Sequence, residues 1–461
     1  MAPTPLPQHS KILIIGAGPA GLATAVSLIK HGIEPHDIVV VNRGVPAVEN
    51  TSRAIVIHAA TLEVSSHIPQ TKESTNRPQA LNAVGCADDL VSRGIKGTVF
   101  QLKDPDGVPI FPLEFSSLKP YTKFPFFLVV PQTITERVLL EHVERLGVKV
   151  HSPYTAVGMK SSDSGDGLDV SFESGDVIHT NFVVGADGSK SAVGHPVIQG
   201  ATPHLIMKPT QIRQLAGIEF VDSDGVQLRD DSPADALQSI VADVSFAGSP
   251  PVSPQDGGLY GTLSDGTLFV LVPFSDNLDL YPTDRPVFRL ISLSQIPAPA
   301  NPPLEVLQKH LDDFGPSSPT PEPYRLSDVY WSSRFRHRSA AAITFYKKMN
   351  SNGRVFLVGD AAHIHSPAGG QGMNLGLRDA IGLGAILGAR LDSHDIDEVL
   401  DQHAKDRRER AVTTIRLTKT LVTGMTNLMS KWFTYYAIKF LLRIPYMQAL
   451  LVWRLSALGN R

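Results

Sequence analysis

Residues 11–25 read KILIIGAGPAGLATA, and the order in which these residue types arrive decides the fold. Lys11 to Ile15 is a short apolar run, and Gly16 to Gly21 is glycine-rich. Leu22, Ala25, Val26 and Ile29 then recur at helical spacing as far as Lys30, and Ile38 to Val41 is a second apolar run. Strand, glycine turn, helix and strand in that order are the β-α-β opening of a doubly wound α/β domain. Gly16, Gly18 and Gly21 allow the tight turn and let a pyrophosphate approach the helix N-terminus, where free N–H groups and the helix dipole favour anions. The second run ends Val40-Val41-Asn42-Arg43. Asn42 stands where an acidic residue would receive ribose hydroxyls; its amide oxygen accepts a hydrogen bond but carries no charge.

Working outward, the spacing of Val138, Leu139, Val143 and Leu146 predicts a helix over 134–146. Leu168 to Phe172 and Phe182 to Val184 read as strands around the turn Ser174-Gly175-Asp176. From about Leu215 to Leu293 the pattern alternates and is rich in turns, as in an antiparallel sheet domain; its runs are 217–221, 239–244, 258–262 and 266–272. Pro297 to Pro323 reads as a linker flanking one helix over 304–314. The last sixty residues read as two docked helices, with a membrane-surface or dimer contact as the alternative. Trp432 to Leu455 is rich in aromatic and aliphatic residues, but Lys439, Arg443, Pro445 and Arg454 interrupt it. Its charge-free run Ile444 to Trp453 falls short of the roughly 20 residues a membrane span needs.

Composition narrows the function classes. The chain has 461 residues, 42% hydrophobic and 19% charged, which suits a globular protein of about two or three domains. A net charge of -3 gives no field to draw it to nucleic acid. The lone Cys86 excludes an internal disulfide framework and a Cys-based zinc site, so a reducing, cytoplasmic setting is expected. Met1 to Ser10 is Pro-rich and polar, without the basic start and apolar core of a secretory signal.

Two later motifs carry chemistry. Gly185-Ala-Asp187-Gly188 is a strand running into a glycine turn. Gly359-Asp360 follows the strand 354–358, and Pro367-Ala-Gly-Gly370-Gln-Gly372-Met373-Asn374 then feeds a helix read as Asn374 to Leu387. Asp360, at a strand end, can hold a ribitol hydroxyl, and the helix N-terminus can face an electron-rich ring carbonyl. Asp360, His363 and His365 would also make two imidazoles and a carboxylate for a non-heme iron. That reading leaves the adjacent glycines unexplained, and no metal is expected.

Gly16-x-Gly18-x-x-Gly21, Gly185-Ala-Asp187-Gly188 and Gly359-Asp360 together resemble the single-component FAD-dependent aromatic hydroxylases of the para-hydroxybenzoate and phenol hydroxylase type. The likeness runs from Lys11 to about Arg410, where His403 to Arg410 resembles the family's Tyr-x-x-Glu-Arg-Arg-Pro stretch with Glu409 in place of proline. It implies that Gly16, Gly18 and Gly21 cradle the FAD pyrophosphate, with Asn42 at the ribose, and that Arg53 lies near the flavin. Gln132 binds FAD, and Asp187 with Gly188 places the pyrophosphate and NADPH, served by Arg213. Gly359 and Asp360 meet the ribitol, while Pro367, Gly370, Gly372, Met373 and Asn374 approach the isoalloxazine. The resemblance further implies FAD reduced by NADPH (or NADH), O₂ as oxidant, and one oxygen delivered to an electron-rich aromatic, enolic or polyketide-like molecule, as in a tailoring step of secondary metabolism. His58, Tyr260, His365 and Pro367 are the candidates for a catalytic role.

In that family the Asp-Gly turn continues through a Ser to an Ile or Val and then Arg. Here Arg213 comes late. Leaving out Val193 to Gln211 joins Asp187-Gly-Ser-Lys-Ser-Ala192 to Ile212-Arg213 and restores the pattern. Leaving out Val64 to Gln79, which is polar and aperiodic, joins Thr61-Leu-Glu63 to Ala80-Leu-Asn-Ala-Val-Gly85 as one amphipathic helix. Both blocks start with Val, whose codons begin GT, and end with Gln, which CAG encodes. The expectation is two in-frame retained introns, with genuine inserted loops as the runner-up.

The expected architecture is therefore α/β: a Rossmann-like FAD-binding domain (1–63, 128–192 and 339–400) interleaved with an antiparallel β-sheet substrate domain (80–127 and 213–338). C-terminal helices follow over 401–461, and the whole acts as a monomer or homodimer. The alternatives are a non-catalytic flavoprotein, suggested by Asn42 and the two blocks, and a flavin halogenase, whose lysine and tryptophan motif is not found.

Overall fold

The computed structural model describes residues 5–44, 54–63, 80–163, 165–188, 212–222, 225–226, 238–253, 258–275, 278–318, 322–336, 339–367, 369–428, 440 and 444–459. Arg53 and the blocks 64–79 and 193–211 lie outside the described residues. The elements and contacts of the fold are those of the described residues.

The opening unit is β1 (His9–Ile15), α1 (Pro19–Lys30) and β2 (Ile38–Val41). Then come β3 (Val56–Ile57), α2 (Ala59–Leu62), α3 (Ala87–Arg93), β4 (Ile95–Gly97), β5 (Val99–Lys103) and β6 (Pro109–Glu114). They are followed by β7 (Phe127–Val129), α4 (Gln132–Arg145), β8 (Val150–His151), β9 (Ala156–Ser161), β10 (Leu168–Phe172) and β11 (Val177–Gly185). The middle of the chain supplies α5 (Ile212–Leu215), β12 (Phe220–Val221), β13 (Gln238–Phe246), β14 (Gly258–Ser264), β15 (Thr267–Pro273), β16 (Phe288–Ser294), α6 (Leu304–Phe314) and β17 (Leu326–Arg336). The last third gives β18 (Ala340–Ala342), β19 (Tyr346–Lys348), β20 (Arg354–Leu357), β21 (His363–Ile364), α7 (Gln371–Arg390), α8 (Ile396–Leu428) and α9 (Pro445–Leu455).

One sheet has a parallel core, β20-β11-β1-β2-β8, whose apolar residues, among them Leu13, Val40, Val183 and Val355, are buried. Helices α1 and α7 cover it together; Gly384 and Gly388 of α7 meet Ser27 and His31 so closely that a Cβ at either would fall within 2.5 Å of α1. The second sheet is seven-stranded, in the order β17-β13-β16-β15-β14-β5-β6. Its strands alternate. Ile240, Ala242, Phe269, Leu271, Phe288 and Leu290 pack under α6 with Leu307 and Leu311, and the residues between them face the other way.

The structure moves several expected boundaries. Residues 80–97 join the parallel-sheet body, because Leu81, Val84 and Leu90 lie in its core and β4 pairs with β7. Residues 212–221 join it too: Ile212, Ile218 and Phe220 are in the same core, and of the expected run 217–221 only Phe220 and Val221 form a strand, paired with β18. The second sheet is not wholly antiparallel, since β14 pairs parallel with β5. Helix α7 begins at Gln371, three residues before the expected Asn374, so Gly372 to Asn374 form its first turn. A division at 400/401 would cut α8, which starts at Ile396 and is tied to α7 through Arg407.

The flanks of the first block are informative. Leu81 N–H donates to Thr61 O at 2.9 Å, and Asn82 N–H donates to Leu62 O at 3.0 Å. Counted without residues 64–79, each bond is the four-residue step of an α-helix.

Candidate active site

The three glycines of the first turn have different tasks. Gly16 has φ +110 and lies under Ala186, where a Cβ would come within 2.3 Å of the carbonyl oxygen; a Cβ on Gly21 would strike Gly16 O at 1.9 Å. These two glycines let strand, helix and the β11 turn close on one another. A Cβ on Gly18 would meet nothing within 4 Å, so the space before the N-terminus of α1 is open there. Asn42 sits at this turn and braces it: its Oδ1 accepts from Ala17 N–H at 3.0 Å and its Nδ2 donates to Gly44 O at 2.6 Å. The amide expected at the ribose is thus already engaged by the loop.

Asp187 stands at the end of β11. Its Oδ2 accepts from Ile212 N–H at 2.9 Å, while Oδ1 is buried with no hydrogen-bond partner among the described residues. Burial pushes its carboxyl up to about 6, against the opposing hydrogen bond from Ile212 and the nearby Arg213. Arg213 is buried and turned inward, its Nη1 donating to Ile218 O at 2.9 Å and its guanidinium lying 4.0 Å over the Phe220 ring.

The third part follows β20. Gly359 has φ +59, and a Cβ there would press on Ala20 of α1 at 2.9 Å; the neighbouring Asp360 is exposed. Gly369 and Gly370, at φ +83 and +63, turn the chain into α7. Asn374 locks that turn to β3: its Nδ2 donates to Val56 O and Gly370 O at 2.8 and 2.7 Å, and its Oδ1 accepts from His58 N–H at 2.8 Å. Its side chain is therefore a brace, buried to 1% exposure. Gln132 begins α4 beside the same segment; its N–H donates to Ala54 O at 3.0 Å and its Nε2 to Glu136 at 2.8 Å. Pro367 is exposed at the mouth of the turn, and Gly372 and Met373 are half-buried behind it.

Three histidines surround this turn. His58 Nε2–H donates to Gly369 O at 2.7 Å, leaving Nδ1 a buried acceptor without a partner among the described residues. Burial lowers its pKa to about 4, so the ring is neutral near pH 7. His365 is also lowered by burial; its Nδ1–H donates to Ser366 O at 2.9 Å, and its ring lies 3.8 Å from where a Gly372 Cβ would be. His363 points the other way and donates from Nε2 to Asp379 at 2.6 Å, so it does not converge with Asp360 on a metal. Burial opposes the charge on Asp379, but Arg407, donating at 2.6 Å, and His363 hold its carboxyl well below the usual range.

Opposite the turn is the inner face of the second sheet. Arg289 and Asp243, on paired strands and fully buried, meet at 2.7 and 2.8 Å, and Tyr281 O–H donates to Asp243 at 2.6 Å. Phe274 and Trp331 lie 5.4 and 5.7 Å from the Arg289 guanidinium, which also donates from Nη1 to Ala54 O at 3.4 Å. The sequence reading missed this group, because residues 46 apart give no spacing signal; the only hint is one charge in each of two otherwise uncharged strands. Tyr260 does not join it. That ring pairs with Leu271 and packs in the layer under α6, on the far face of the sheet.

The groups brought together are therefore the Gly16–Gly21 turn, Asp187, Asp360 and the turn into α7. All lie at the C-terminal ends of parallel strands or the N-termini of helices, where a doubly wound fold binds dinucleotides. Open space before Gly18, an unpartnered buried Asp187 oxygen and an exposed Asp360 fit such a group.

Comparison with known proteins agrees. The family described as "FAD binding domain" matches residues 9–213 and 321–418. An aromatic compound monooxygenase of Bacillus subtilis strain 168, itself named as uncharacterized, is 28% identical over 419 residues, 88% of this chain and 67% of that protein. Rifampicin monooxygenase of Streptomyces venezuelae is 26% identical over 421 residues, covering 90% of this chain and 72% of its own. Among solved structures, anhydrotetracycline hydroxylase from Streptomyces rimosus superposes with a TM-score of 0.65 at 25% identity, covering 98% of this chain and 76% of that one. p-Nitrophenol 4-monooxygenase from Pseudomonas putida DLL-E4, at 19% identity and TM-score 0.70 over 99% and 100% of the two chains, shares the fold.

Proposed function

Because this chain belongs to the FAD-binding-domain family of FAD-dependent aromatic monooxygenases, we propose that it uses a reduced nicotinamide dinucleotide and O₂ to hydroxylate an aromatic or enolic small molecule. The observation that carries the proposal is the buried Asp243–Arg289 pair with Tyr281, Phe274 and Trp331. From the inner side of the second sheet Arg289 reaches Ala54 O, just before the segment that Asn374 ties to the turn into α7. Relatives named for rifampicin and anhydrotetracycline support an aromatic substrate and a tailoring step.

Bound FAD supplies the redox and oxygen chemistry; the chain holds, orients and encloses. The open space at Gly18 and the N-terminus of α1 receive the pyrophosphate. Asp360 would accept from a ribityl hydroxyl, and the first N–H groups of α7 would favour an electron-rich carbonyl of the ring. His58 stays neutral, with its proton fixed on Nε2 by Gly369 O, so Nδ1 is an acceptor for a hydroxyl or imide proton at the ring. The substrate ring lies against the inner sheet face, where the aromatic side chains exclude water and the Asp243–Arg289 pair stiffens the wall behind them. The single buried Cys86 supports a cytoplasmic, reducing setting.

The test is purification with FAD, followed by NADPH and NADH oxidation with a panel of phenols and polyketide-type aromatics under ¹⁸O₂. Stimulated oxidation with one labelled oxygen in the product is the expected result. Full flavin occupancy without stimulation by any aromatic, or an unlabelled product, would overturn it.

A further inference from the structure

Helix α9 starts exposed and ends buried. Tyr446 is 72% exposed, whereas Val452, Ser456, Ala457 and Leu458 are at 2% or less. A helix leaves its last carbonyls without partners in its own turns. Here the chain leaves α9 through Ala457 in the left-handed region, at φ +60, and the freed carbonyls find donors far away in sequence. Gln371 Nε2 donates to Leu455 O at 2.8 Å, and Ala60 N–H donates to Ser456 O at 3.2 Å. Leu455 Cδ2 lies 3.6 Å from the place a Gly369 Cβ would take. Val452, Ala457 and Leu458 share one apolar cluster with Ala59 and Ala60, with Leu113 of the second sheet and with Phe115 just after it. The matched family region ends at residue 418, so α9 lies beyond it.

We infer that α9 is a positioning element of the flavin site, with Gln371 as its contact residue: it sets the turn Gly369–Gln371 and the second sheet at one fixed spacing. The two glycines of that turn have no side chain to hold them, and Gln371 opens the helix whose N-terminus faces the ring. A tether at Gln371 therefore fixes where those N–H groups point. By linkage, FAD binding and the docking of α9 favour each other to the same extent. The inference rests on the FAD reading above.

Two measurements on the full chain test it. Hydrogen exchange of residues 452–459 is followed with and without saturating FAD, and FAD dissociation constants and visible spectra are compared for wild type, Gln371→Met and Gln371→Glu. The expected result is exchange slowed at least fivefold by FAD, with both variants binding FAD at least fivefold more weakly and with a shifted flavin band. Glu at the first position of a helix suits the dipole, so a purely helical role predicts Gln371→Glu as good as wild type. The tether predicts it worse, since a carboxylate would face the Leu455 carbonyl. Bound FAD with unchanged exchange at 452–459 and affinities within twofold overturns the inference. Should the variants not fold, the wild-type exchange result decides alone. A wild-type protein that binds no FAD at all overturns the FAD reading, and this inference with it.

Discussion

Two fully buried carboxylate–guanidinium pairs, Asp379 with Arg407 and Asp243 with Arg289, use the same chemistry to different ends. Asp379 joins α7 to α8 and takes a second partner from His363, all inside the parallel-sheet body. Asp243 joins neighbouring strands that are already hydrogen-bonded to one another, and its arginine reaches across to Ala54. The first pair holds together elements that no backbone ladder connects. The second adds little to strand pairing, and its position facing the other domain is what needs explaining. Burial of charge marks a site only when it serves no structural link.

Breaking the first pair gives the largest expected effect. Arg407→Met leaves Asp379 buried beside His363 alone and lowers unfolding free energy by about 3–5 kcal/mol, read from urea denaturation; a loss within the scatter of surface substitutions would deny the pair its linking role. Arg289→Met is expected to cost less, about 3 kcal/mol, because Tyr281 still donates to Asp243. The sharper comparison is Asp243→Leu with Arg289→Met, which recovers most of that stability while substrate-stimulated NADPH oxidation stays low. Recovery of both would make the second pair structural as well.

A chain lacking Val64 to Gln79 and Val193 to Gln211 is expected to bind FAD about tenfold or more tightly, a gain of about 1.4 kcal/mol, seen as flavin absorbance retained on gel filtration. The helical bonds across the first block support this, since they already close without it. Equal occupancy in the full chain would make both blocks genuine loops. Asn42→Ala, which removes the acceptor for Ala17 N–H, is expected to cost about 1 kcal/mol in thermal or urea stability, with FAD affinity falling alongside.

A separate effect is with pH. Asp187 has its carboxyl raised by burial to about 6 from an ordinary 3.8. Its contribution to stability is therefore fully present below pH 3.8 and is lost as pH rises through 6. Urea midpoints of the cofactor-free protein should fall across that window more steeply for wild type than for Asp187→Asn. Parallel curves would remove Asp187 as the cause.

Much of the body was legible. The predicted strands at 38–41 and 168–172 and the helix at 304–314 coincide with the observed elements, because each is closed by local turn chemistry and a clear apolar period. The candidate site was legible only where a motif is local. Gly16 to Gly21 carries its geometry in six residues, whereas Tyr260 and Arg289 could not be sorted, since alternation separates the two faces of a strand without saying which one meets the other domain. Asn42 and Asn374 are expected at the cofactor, and the structure adds a role the sequence does not show: both side chains brace backbone. An amide can serve either purpose, and only its neighbours settle which.

By itself, the sequence determined the β-α-β opening, the order of the three glycine motifs and the presence of a second, alternating sheet, since periodicity and turn residues act over a few positions. The tertiary structure alone decided that Asp243 meets Arg289, that Arg407 of α8 pairs with Asp379 of α7, and that the end of α9 reaches Gln371 and Ala60. Those contacts join residues dozens to hundreds apart, and their energy exists only once packing has brought the elements together.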